Sequence, residues 1–261
     1  MLTDTPNVLA GVSRMAVLSP HLDDAVLSCG AVLSGCAAAG VHAVTVTVFN
    51  GPPDGPLSAA ARDFHAQCGH GDDAMAHREI EDDLATTHLG AASIRLGLPE
   101  ALYRGGTSGR HRYPKGKDIF GSRPEAEAEL VADIIERLTS TPAIREAELL
   151  LVPLGVGDHI DHQIVAAAAR KLRRPLLWYE DVPYVLFDNC LGWEDELAPT
   201  DPMACRVIAE HWRAKLDAID CYASQHSILW HDATRWRQDL TAYAISLGDG
   251  VPAERYWRRR P

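Results

Sequence analysis

The chain has 261 residues, of which 46% are hydrophobic, and its net charge at pH 7 is −11. An acidic chain without a long run of Lys or Arg lacks the basic face that a phosphate backbone requires, so nucleic acid is excluded as a partner. Because the sequence has no run of about 18 apolar residues and no apolar leader, we expect a soluble, cytoplasmic protein that does not associate with a membrane.

Six cysteines lie scattered along the chain without a Cys-x-x-Cys pair. This arrangement favours neither a zinc ribbon nor a dense disulfide framework. Cys29 and Cys36 fall within one predicted helix, where we interpret them as small core residues.

Strand and helix patterns alternate along most of the chain. The predicted strands are 16–19, 41–49, 93–96, 149–153 and 176–179. The predicted helices are 25–39, 74–89, 124–138, 162–172, 203–222 and 232–245. This alternation predicts an α/β fold: a Rossmann-like, doubly wound, mostly parallel sheet in a single domain over residues 1–261, with long active-site loops.

Polar residues directly follow two of these predicted strands. The two motifs are Ser19-Pro20-His21-Leu22-Asp23-Asp24 and His159-Ile160-Asp161-His162. Since the carboxyl ends of parallel strands meet at one edge of a sheet, we expect the motifs to lie close together. Three nitrogen and oxygen ligands with an open fourth position are typical of a catalytic zinc site, whereas structural sites are rich in Cys. The sequence therefore predicts Zn²⁺ bound by His21, Asp24 and His162.

Three further residues of these motifs have predicted catalytic roles. A zinc ion held in this way lowers the pKa of a bound water to about 7, and Asp23 is placed to accept its proton as general base. His159 would face the same cavity and could stabilise an oxyanion or protonate a leaving amine. Asp161 is placed to accept a hydrogen bond from one imidazole and fix its tautomer. Together they predict a hydrolase centre for an amide or ester.

Each motif also has a simpler interpretation. Asp23 and Asp24 could only cap the following helix, and His159 and His162 could lie at a helix start without a metal. The occurrence of both motifs after separate strands favours the metal site. The histidines at 65, 70, 77 and 88 fit no ligand spacing well, and we expect them to be solvated.

The two motifs resemble those of the PIG-L/LmbE-like family of zinc-dependent N-acetylglucosaminide deacetylases. The family's motifs are His-Pro-Asp-Asp-Glu after the first strand and His-Pro-Asp-His, and both are present here in modified form. The resemblance implies zinc ligands at His21, Asp24 and His162. It also implies a base at Asp23 and a role for His159 at the oxyanion or leaving group.

Further matches extend the resemblance over most of the chain. Arg78-x-x-Glu81 resembles an Arg-x-x-Glu helix of the family, and Lys215-x-x-Ala218 with Ser224-Gln225 resembles its late Lys…Ser-Gln signature. For Arg78, Glu81 and Gln225 we predict structural support rather than catalysis. Leu22 and Ala25 replace the family's usual Pro and Glu.

Two segments are similar to the branch of the family that contains deacetylases of glycopeptide-antibiotic sugars. They are the run from Ser19 to Ser28 and Glu180-Asp181-Val182-Pro183-Tyr184, although Glu180 and Asp181 could also only cap a turn. The resemblance implies a small-molecule partner, an N-acetylated or longer N-acylated amino sugar or glycoside of secondary metabolism, and leaves a homo-oligomer open.

We expect the loops 50–73, 99–123 and 181–202 to form the pocket wall. Their aromatic residues could stack on sugar faces, although core or loop packing is the favoured interpretation for each one. These aromatic residues are Tyr103, Tyr113, Tyr184 and Trp193.

Other classes of protein are alternatives to the hydrolase. A dinucleotide-binding protein is disfavoured, because the turn after the first strand carries carboxylates where a pyrophosphate needs glycines. A non-catalytic metal-binding or sugar-binding module remains an alternative. So does a metal-dependent amidase or phosphoesterase acting on a non-sugar substrate, although two-metal phosphoesterases usually recruit more carboxylates.

Overall fold

Eight strands form one sheet in the computed structural model, which describes residues 2–53, 55–69, 71–105, 110–123, 125–187 and 200–259. The strands are β1 (Leu2–Asp4), β2 (Arg14–Ser19), β3 (His42–Gly51), β4 (Ala92–Pro99), β5 (Leu149–Pro153), β6 (Leu176–Tyr179), β7 (Thr200–Arg206) and β8 (Ala253–Arg259). Their order in the sheet is β1-β7-β8-β6-β5-β2-β3-β4. The described helices are α1 (Thr5–Val8), α2 (Asp24–Ala38), α3 (Ala59–Cys68), α4 (Ala74–His88), α5 (Ala128–Ser140), α6 (Pro142–Glu146), α7 (Ile160–Ala169), α8 (Ala209–Ile219), α9 (His226–Leu229) and α10 (Trp236–Leu247).

Strand β2 shows why helices cover both faces of the sheet. Met15 and Val17 belong to one buried apolar cluster, and Ala16 and Leu18 belong to another, because alternate side chains of a strand point to opposite faces. Helices α2, α8 and α10 complete the first cluster, and α5 and α7 complete the second. All strand pairs are parallel except the two that β8 makes with β6 and β7. The predicted Rossmann-like, doubly wound, mostly parallel α/β sheet is confirmed.

The prediction of a helix over 203–222 is wrong at its start. Residues 200–206 form strand β7, and α8 begins only at Ala209. Strand β7 lies between β1 and β8, neither of which was predicted, and is hydrogen-bonded to both. Pairing with strands from both ends of the chain therefore overrides the local helical pattern.

The predicted loop over 50–73 contains helix α3. Both ends of this helix have common capping residues. The hydroxyl of Ser58 accepts the N–H of Ala61 at 3.0 Å at the start, and Gly69 adopts a positive φ of 78° at the end. His65, which was expected to be solvated, is buried on this helix, and its Nε2 lies 2.8 Å from the hydroxyl of Tyr103.

Several sequence predictions lie outside the described residues. They concern residues 188–199 of the loop 181–202, including Trp193, together with His70 and the helix start at Pro124. Cys29 and Cys36 are buried core residues, as predicted, and are not disulfide-bonded. No helix within the described ranges is both long enough and apolar enough to cross a membrane.

The register of the central strands sets the position of the two polar motifs. Strand β2 is hydrogen-bonded to β5, with Met15 opposite Leu149 and Val17 opposite Leu151. The turns that leave these two strands therefore emerge side by side at the carboxyl edge of the sheet.

Candidate metal centre

The first motif forms a tight turn between β2 and α2. The hydroxyl of Ser19 donates to the carbonyl of His21 at 2.6 Å and accepts the N–H of Ala25 at 2.9 Å. One oxygen of Asp24 accepts the backbone N–H of His21 at 2.8 Å. These short-range bonds hold His21 and Asp24 on the same side of the turn, as their spacing predicts.

Ligand atoms of His21, Asp24 and His162 converge on one point. Oδ2 of Asp24 lies 3.2 Å from Nδ1 of His21 and 3.3 Å from Nε2 of His162. In a tetrahedral site with ligands about 2.0–2.1 Å from zinc, neighbouring ligand atoms lie about 3.3–3.4 Å apart. All three residues are buried and their ligand atoms lie within 4.8 Å of one another. The group therefore has the composition and spacing that a zinc-sized ion requires.

The ring of His162 is held through its Nδ1, which leaves Nε2 without a hydrogen-bond partner among the described residues. Its Nδ1 lies 2.6 Å from Oδ1 of Asp181, and the other oxygen of Asp181 accepts the N–H groups of Gly155 and Val156 at 2.8 and 2.9 Å. The carboxylate accepts the Nδ1 proton, so Nε2 carries a lone pair. Within the part of the chain that the structure describes, this buried Nε2 has no hydrogen-bond partner. A metal ion would satisfy it.

A second group of possible ligands, namely His21, His159 and Asp161, overlaps the first. Oδ2 of Asp161 lies 3.1 Å from Nε2 of His21 and also accepts the N–H of Ala101 at 2.9 Å. Its Oδ1 accepts a hydrogen bond from Arg104 at 2.5 Å. Asp161 thus contacts the nitrogen of His21 that faces away from Asp24, which is the tautomer-fixing position that the sequence predicts for it.

Asp23 lies buried beside the candidate ligands and lines the adjoining pocket. Burial and then the neighbouring Asp24 raise the pKa of Asp23 to about 7, against the opposing charge of Arg78. Burial would also raise the pKa of Asp24, but His162 and His21 hold it well below its usual range. The environment therefore shifts the pKa values of the two adjacent carboxylates in opposite directions. Asp24 stays ionised as a ligand, and Asp23 is suited to accept a proton.

His159 is the N-cap residue of α7, and its Nδ1 accepts the N–H of Asp161 at 3.2 Å. In the neutral ring this leaves the proton on Nε2. Burial and the nearby His21 lower the pKa of His159 well below its usual value. A neutral N–H donor favours the predicted role at an oxyanion over protonation of a leaving amine.

Two of the candidate ligands, His21 and Asp24, line a cavity of about 640 Å³. Six side chains form what we call its apolar wall, which is Ala59, Ala60, Phe64, Leu102, Ile228 and Leu229. Phe120 and Tyr184 line the same cavity, with ring centroids 6.3 Å apart. Phe120 forms an isolated antiparallel bridge with His159, which joins the loop before α5 to the second motif. Tyr103 and Tyr113 are buried, which agrees with the favoured interpretation of packing rather than sugar stacking.

Residues of the Arg-x-x-Glu helix and of the late signature hold parts of the pocket lining in position. Arg78 is buried and pairs with Glu100 at 2.5 Å, while Glu81 accepts the N–H and hydroxyl of Ser224 at 2.8 and 2.6 Å. Glu81 thereby fixes the turn that places Gln225 in the pocket lining. These contacts agree with the predicted support role, and Arg78 in addition faces the cavity.

Lys215 of the late signature makes a fully buried ion pair. Its ammonium lies 2.7 Å from Glu254 on β8 and donates to the carbonyl of Ser28. The oxygens of Glu254 accept the N–H groups of Ala31 and Val32 at 2.9 and 3.0 Å. The pair therefore ties the last strand to the middle of α2, the helix that begins at Asp24.

Reasoning from the sequence missed three contributors to this site. Arg104 and Glu254 carry no local signal, because each contacts the site from a distant part of the chain. Asp181 did carry one, since it follows β6 closely as the two motifs follow β2 and β5. Its position after a strand is equally compatible with this role and with a turn cap.

A mostly parallel sheet with a buried His/Asp group at the carboxyl ends of its central strands defines the class of α/β proteins with a metal centre at that edge. The family model PIG-L, described as GlcNAc-PI de-N-acetylase, matches residues 16–172, and the chain belongs to this family.

Three relatives are deacetylases by name, and two of them agree with the branch that the motifs indicated. A 2'-N-acetylparomamine deacetylase of Streptomyces fradiae is 35% identical over 66% of this chain and 57% of its own length. The zinc-inhibited form of teicoplanin deacetylase Orf2 has a TM-score of 0.83 at 28% identity, covering 94% of this chain and 97% of that one. The A40926 pseudoaglycone deacetylase Dbv21 has a TM-score of 0.78 at 31% identity, with 94% and 96% covered. The chain spans no more than 66% of the length of the curated relatives it matches.

Proposed function

We propose that this protein is a zinc-dependent hydrolase that removes an N-acetyl or longer N-acyl group from an amino sugar of a secondary metabolite. The observation that carries the proposal is the buried Nε2 of His162, which has no hydrogen-bond partner in the described structure and, like Nδ1 of His21, lies close to Oδ2 of Asp24. The family and the deacetylases named above support the same chemistry.

Asp23 and His159 perform the proton transfer and the oxyanion stabilisation that amide hydrolysis requires. A bound metal would supply a Lewis acid that polarises the amide carbonyl and lowers the pKa of water. Asp23 accepts a proton from the attacking water as its oxygen adds to the carbonyl carbon. Nε2–H of His159 donates to the oxygen that becomes negative. The C–N bond then breaks as the nitrogen takes the proton from Asp23, so a free amine and a carboxylic acid leave, and the acid gives its remaining proton to water to become the carboxylate.

The apolar wall bears on the class of substrate. A hydroxyl placed against Phe64 or Leu102 would lose water without gaining a hydrogen bond, which costs free energy. A polyhydroxylated scaffold therefore suits this side of the cavity poorly. An amino sugar attached to an apolar or aromatic scaffold fits it better. The cytoplasmic location and a homo-oligomer stay predictions from the sequence.

A mass-spectrometric screen tests the proposal. The zinc-loaded protein is incubated with N-acylated amino-sugar metabolites on both scaffold types, with p-nitrophenyl phosphate as the competing substrate. We expect loss of one acyl mass, loss of that activity with a chelator, and its return with Zn²⁺. Uniform inactivity toward the amides would support the binding-module alternative, and phosphate release would support a phosphoesterase.

A further inference from the structure

The side-chain amide of Gln225 is held in one orientation by a short chain of hydrogen bonds. Glu81 accepts the N–H of Ser224 at 2.8 Å with one oxygen and its hydroxyl at 2.6 Å with the other. Because an ionised carboxylate only accepts, the hydroxyl proton of Ser224 points to Glu81. The oxygen of Ser224 can then only accept the hydrogen bond that joins it to Gln225 at 2.8 Å. The donor at the Gln225 end must therefore be Nε2.

Both protons of this amide are already used inside the protein. One N–H of Gln225 donates to Ser224, and the other points to Sγ of Cys68 at 3.4 Å. No donor among the described residues is bonded to Oε1 of Gln225. The side chain is only 2% exposed, yet it lines the cavity. Oε1 is therefore a nearly buried acceptor that the hydrogen bonds of the amide nitrogen turn toward the cavity.

Gln225 lies at the boundary between polar and apolar parts of the cavity lining. Glu81, which orients it, is one turn away from Arg78 on the same face of α4, and Arg78 lines the cavity. One turn after Gln225, Ile228 belongs to the apolar wall. A substrate whose N-acyl group reaches the candidate metal ligands and whose scaffold rests on the apolar wall therefore has its sugar ring beside Gln225.

We propose that Oε1 of Gln225 accepts a hydrogen bond from one ring hydroxyl of the amino sugar and so makes that hydroxyl a requirement for tight binding. The inference rests on the proposed function, because it takes an amino sugar as the substrate. A substrate without the hydroxyl leaves the acceptor unpaired in a place that bulk water hardly reaches, which costs binding free energy. Gln225 is then a substrate-binding residue as well as part of the support of the pocket.

A series of sugar analogues tests the requirement. The series consists of N-acetylglucosaminides with an aromatic aglycone, in which each ring hydroxyl is replaced in turn by hydrogen or by fluorine, which accepts hydrogen bonds but does not donate them. At one ring position, both replacements should raise the KM of the wild type about 3–10-fold, with a smaller effect on kcat. In Gln225→Met, which has a similar length but no acceptor, the parent sugar should bind equally weakly and the two replacements should cost nothing further.

Glu81→Gln tests the orientation of the amide rather than its presence. The introduced amide oxygen can still accept the N–H of Ser224, so the introduced NH₂ faces the hydroxyl of Ser224 and donates to it. That hydroxyl then donates to Gln225, whose Oε1 turns toward Ser224 and whose Nε2 turns toward the cavity. Fluorine at the critical ring position should now be tolerated, because it can accept from Nε2, and most of the 3–10-fold penalty should disappear. A purely structural role of Gln225 predicts no such reversal.

Gln67→Met is the matched control, because Gln67 is exposed on α3 and lines the same cavity. It should leave the ranking of the analogues unchanged. Dependence on the hydroxyl that persists in Gln225→Met would overturn the proposal, as would an unchanged penalty for fluorine in Glu81→Gln, which also serves if Gln225→Met does not fold.

Binding of the same analogues to the metal-free full chain, measured by calorimetry, reports the dependence on the hydroxyl without turnover. Binding that depends on the hydroxyl and on Gln225, without deacylation by the zinc-loaded wild type, would count against the proposed function and support the inference. Deacylation of every analogue with equal KM would leave the proposed function intact and overturn the inference.

Discussion

Asp181 holds the ring of His162 through a 2.6 Å hydrogen bond between Oδ1 and Nδ1, while its other oxygen accepts two backbone N–H groups. The carboxylate therefore accepts three hydrogen bonds, one from the ring of His162 and two from the backbone. In Asp181→Asn, the new amide must turn its own N–H toward either the ring or the backbone donors. We expect a metal affinity about 10–100-fold weaker, measured by calorimetry with Zn²⁺.

Asp158→Asn is the matched control for this variant. Asp158 is exposed and has a φ of 58°, a conformation that Asn tolerates well. Its metal affinity should equal that of the wild type. Unchanged affinity in Asp181→Asn would contradict the assignment of His162 as a ligand positioned by Asp181.

Asp23→Asn separates the predicted base from the predicted ligands. The amide cannot accept a proton, so turnover should fall by about 10²-fold or more, whereas metal content should stay the same. Turnover is followed by amine release and metal by elemental analysis of the purified protein. Full activity in the variant would rule out Asp23 as the base. Loss of metal from the variant would show that Asp23 is a metal ligand instead.

The pH dependence of kcat/KM should have an acidic limb that belongs to Asp23. Activity falls as the pH drops through the pKa of this group, because the protonated carboxyl cannot act as base. Burial raises that pKa to about 7 in the metal-free protein, and a bound cation favours the carboxylate and lowers it. The midpoint should therefore lie at or below about 7. A profile that stays flat down to about pH 4 would contradict the role of Asp23.

Lys215→Met should destabilise the fold without touching the pocket. It leaves the carboxylate of Glu254 buried and without its ammonium partner, which typically costs about 3–5 kcal/mol of unfolding free energy. Urea titration followed by circular dichroism measures the change. Lys171→Met, at an exposed position, is the control and should change stability by no more than about 0.5 kcal/mol.

Leu22→Ala should loosen the apolar wall. Leu22 takes the place of the family's usual Pro and packs in a separate apolar cluster with Ala61, Met75, Leu102 and Tyr103. This cluster joins the first motif to α3, which supplies half of the wall. We expect a loss of about 2–5 kcal/mol in stability and a higher KM for substrates with apolar scaffolds, with a smaller effect on kcat. An unchanged KM would place the substrate elsewhere in the cavity.

How far the sequence predicts the site depends on the distance between cooperating residues. His21 and Asp24 lie in one turn, and His162 lies one strand away, so strand pattern and parallel pairing suffice to bring them together. Helix α3 could have been predicted from Ser58 and Gly69 at its ends. Strand β7 could not, because its conformation depends on β1 and β8, which lie at opposite ends of the chain.

Charged groups beyond the ligands were less predictable. Asp181 and Arg104 each make a decisive contact with a motif residue, yet neither belongs to a motif of its own. A polar residue in a loop can cap a turn, face solvent or hold a ligand, and only tertiary packing decides among these. The sequence therefore predicts which residues would bind metal better than it predicts what holds them in position.

The contact between Glu254 and α2 bears on how much of the chain is needed to bind metal. The family model ends at residue 172, but the backbone of the helix that begins with Asp24 is hydrogen-bonded to β8, more than 80 residues further on. A fragment of residues 16–172 would leave N–H groups of Ala31 and Val32 without that acceptor and the apolar face of α2 without α8. We expect such a fragment neither to fold nor to bind zinc. The part of the chain needed for a working metal site would then extend at least to Glu254.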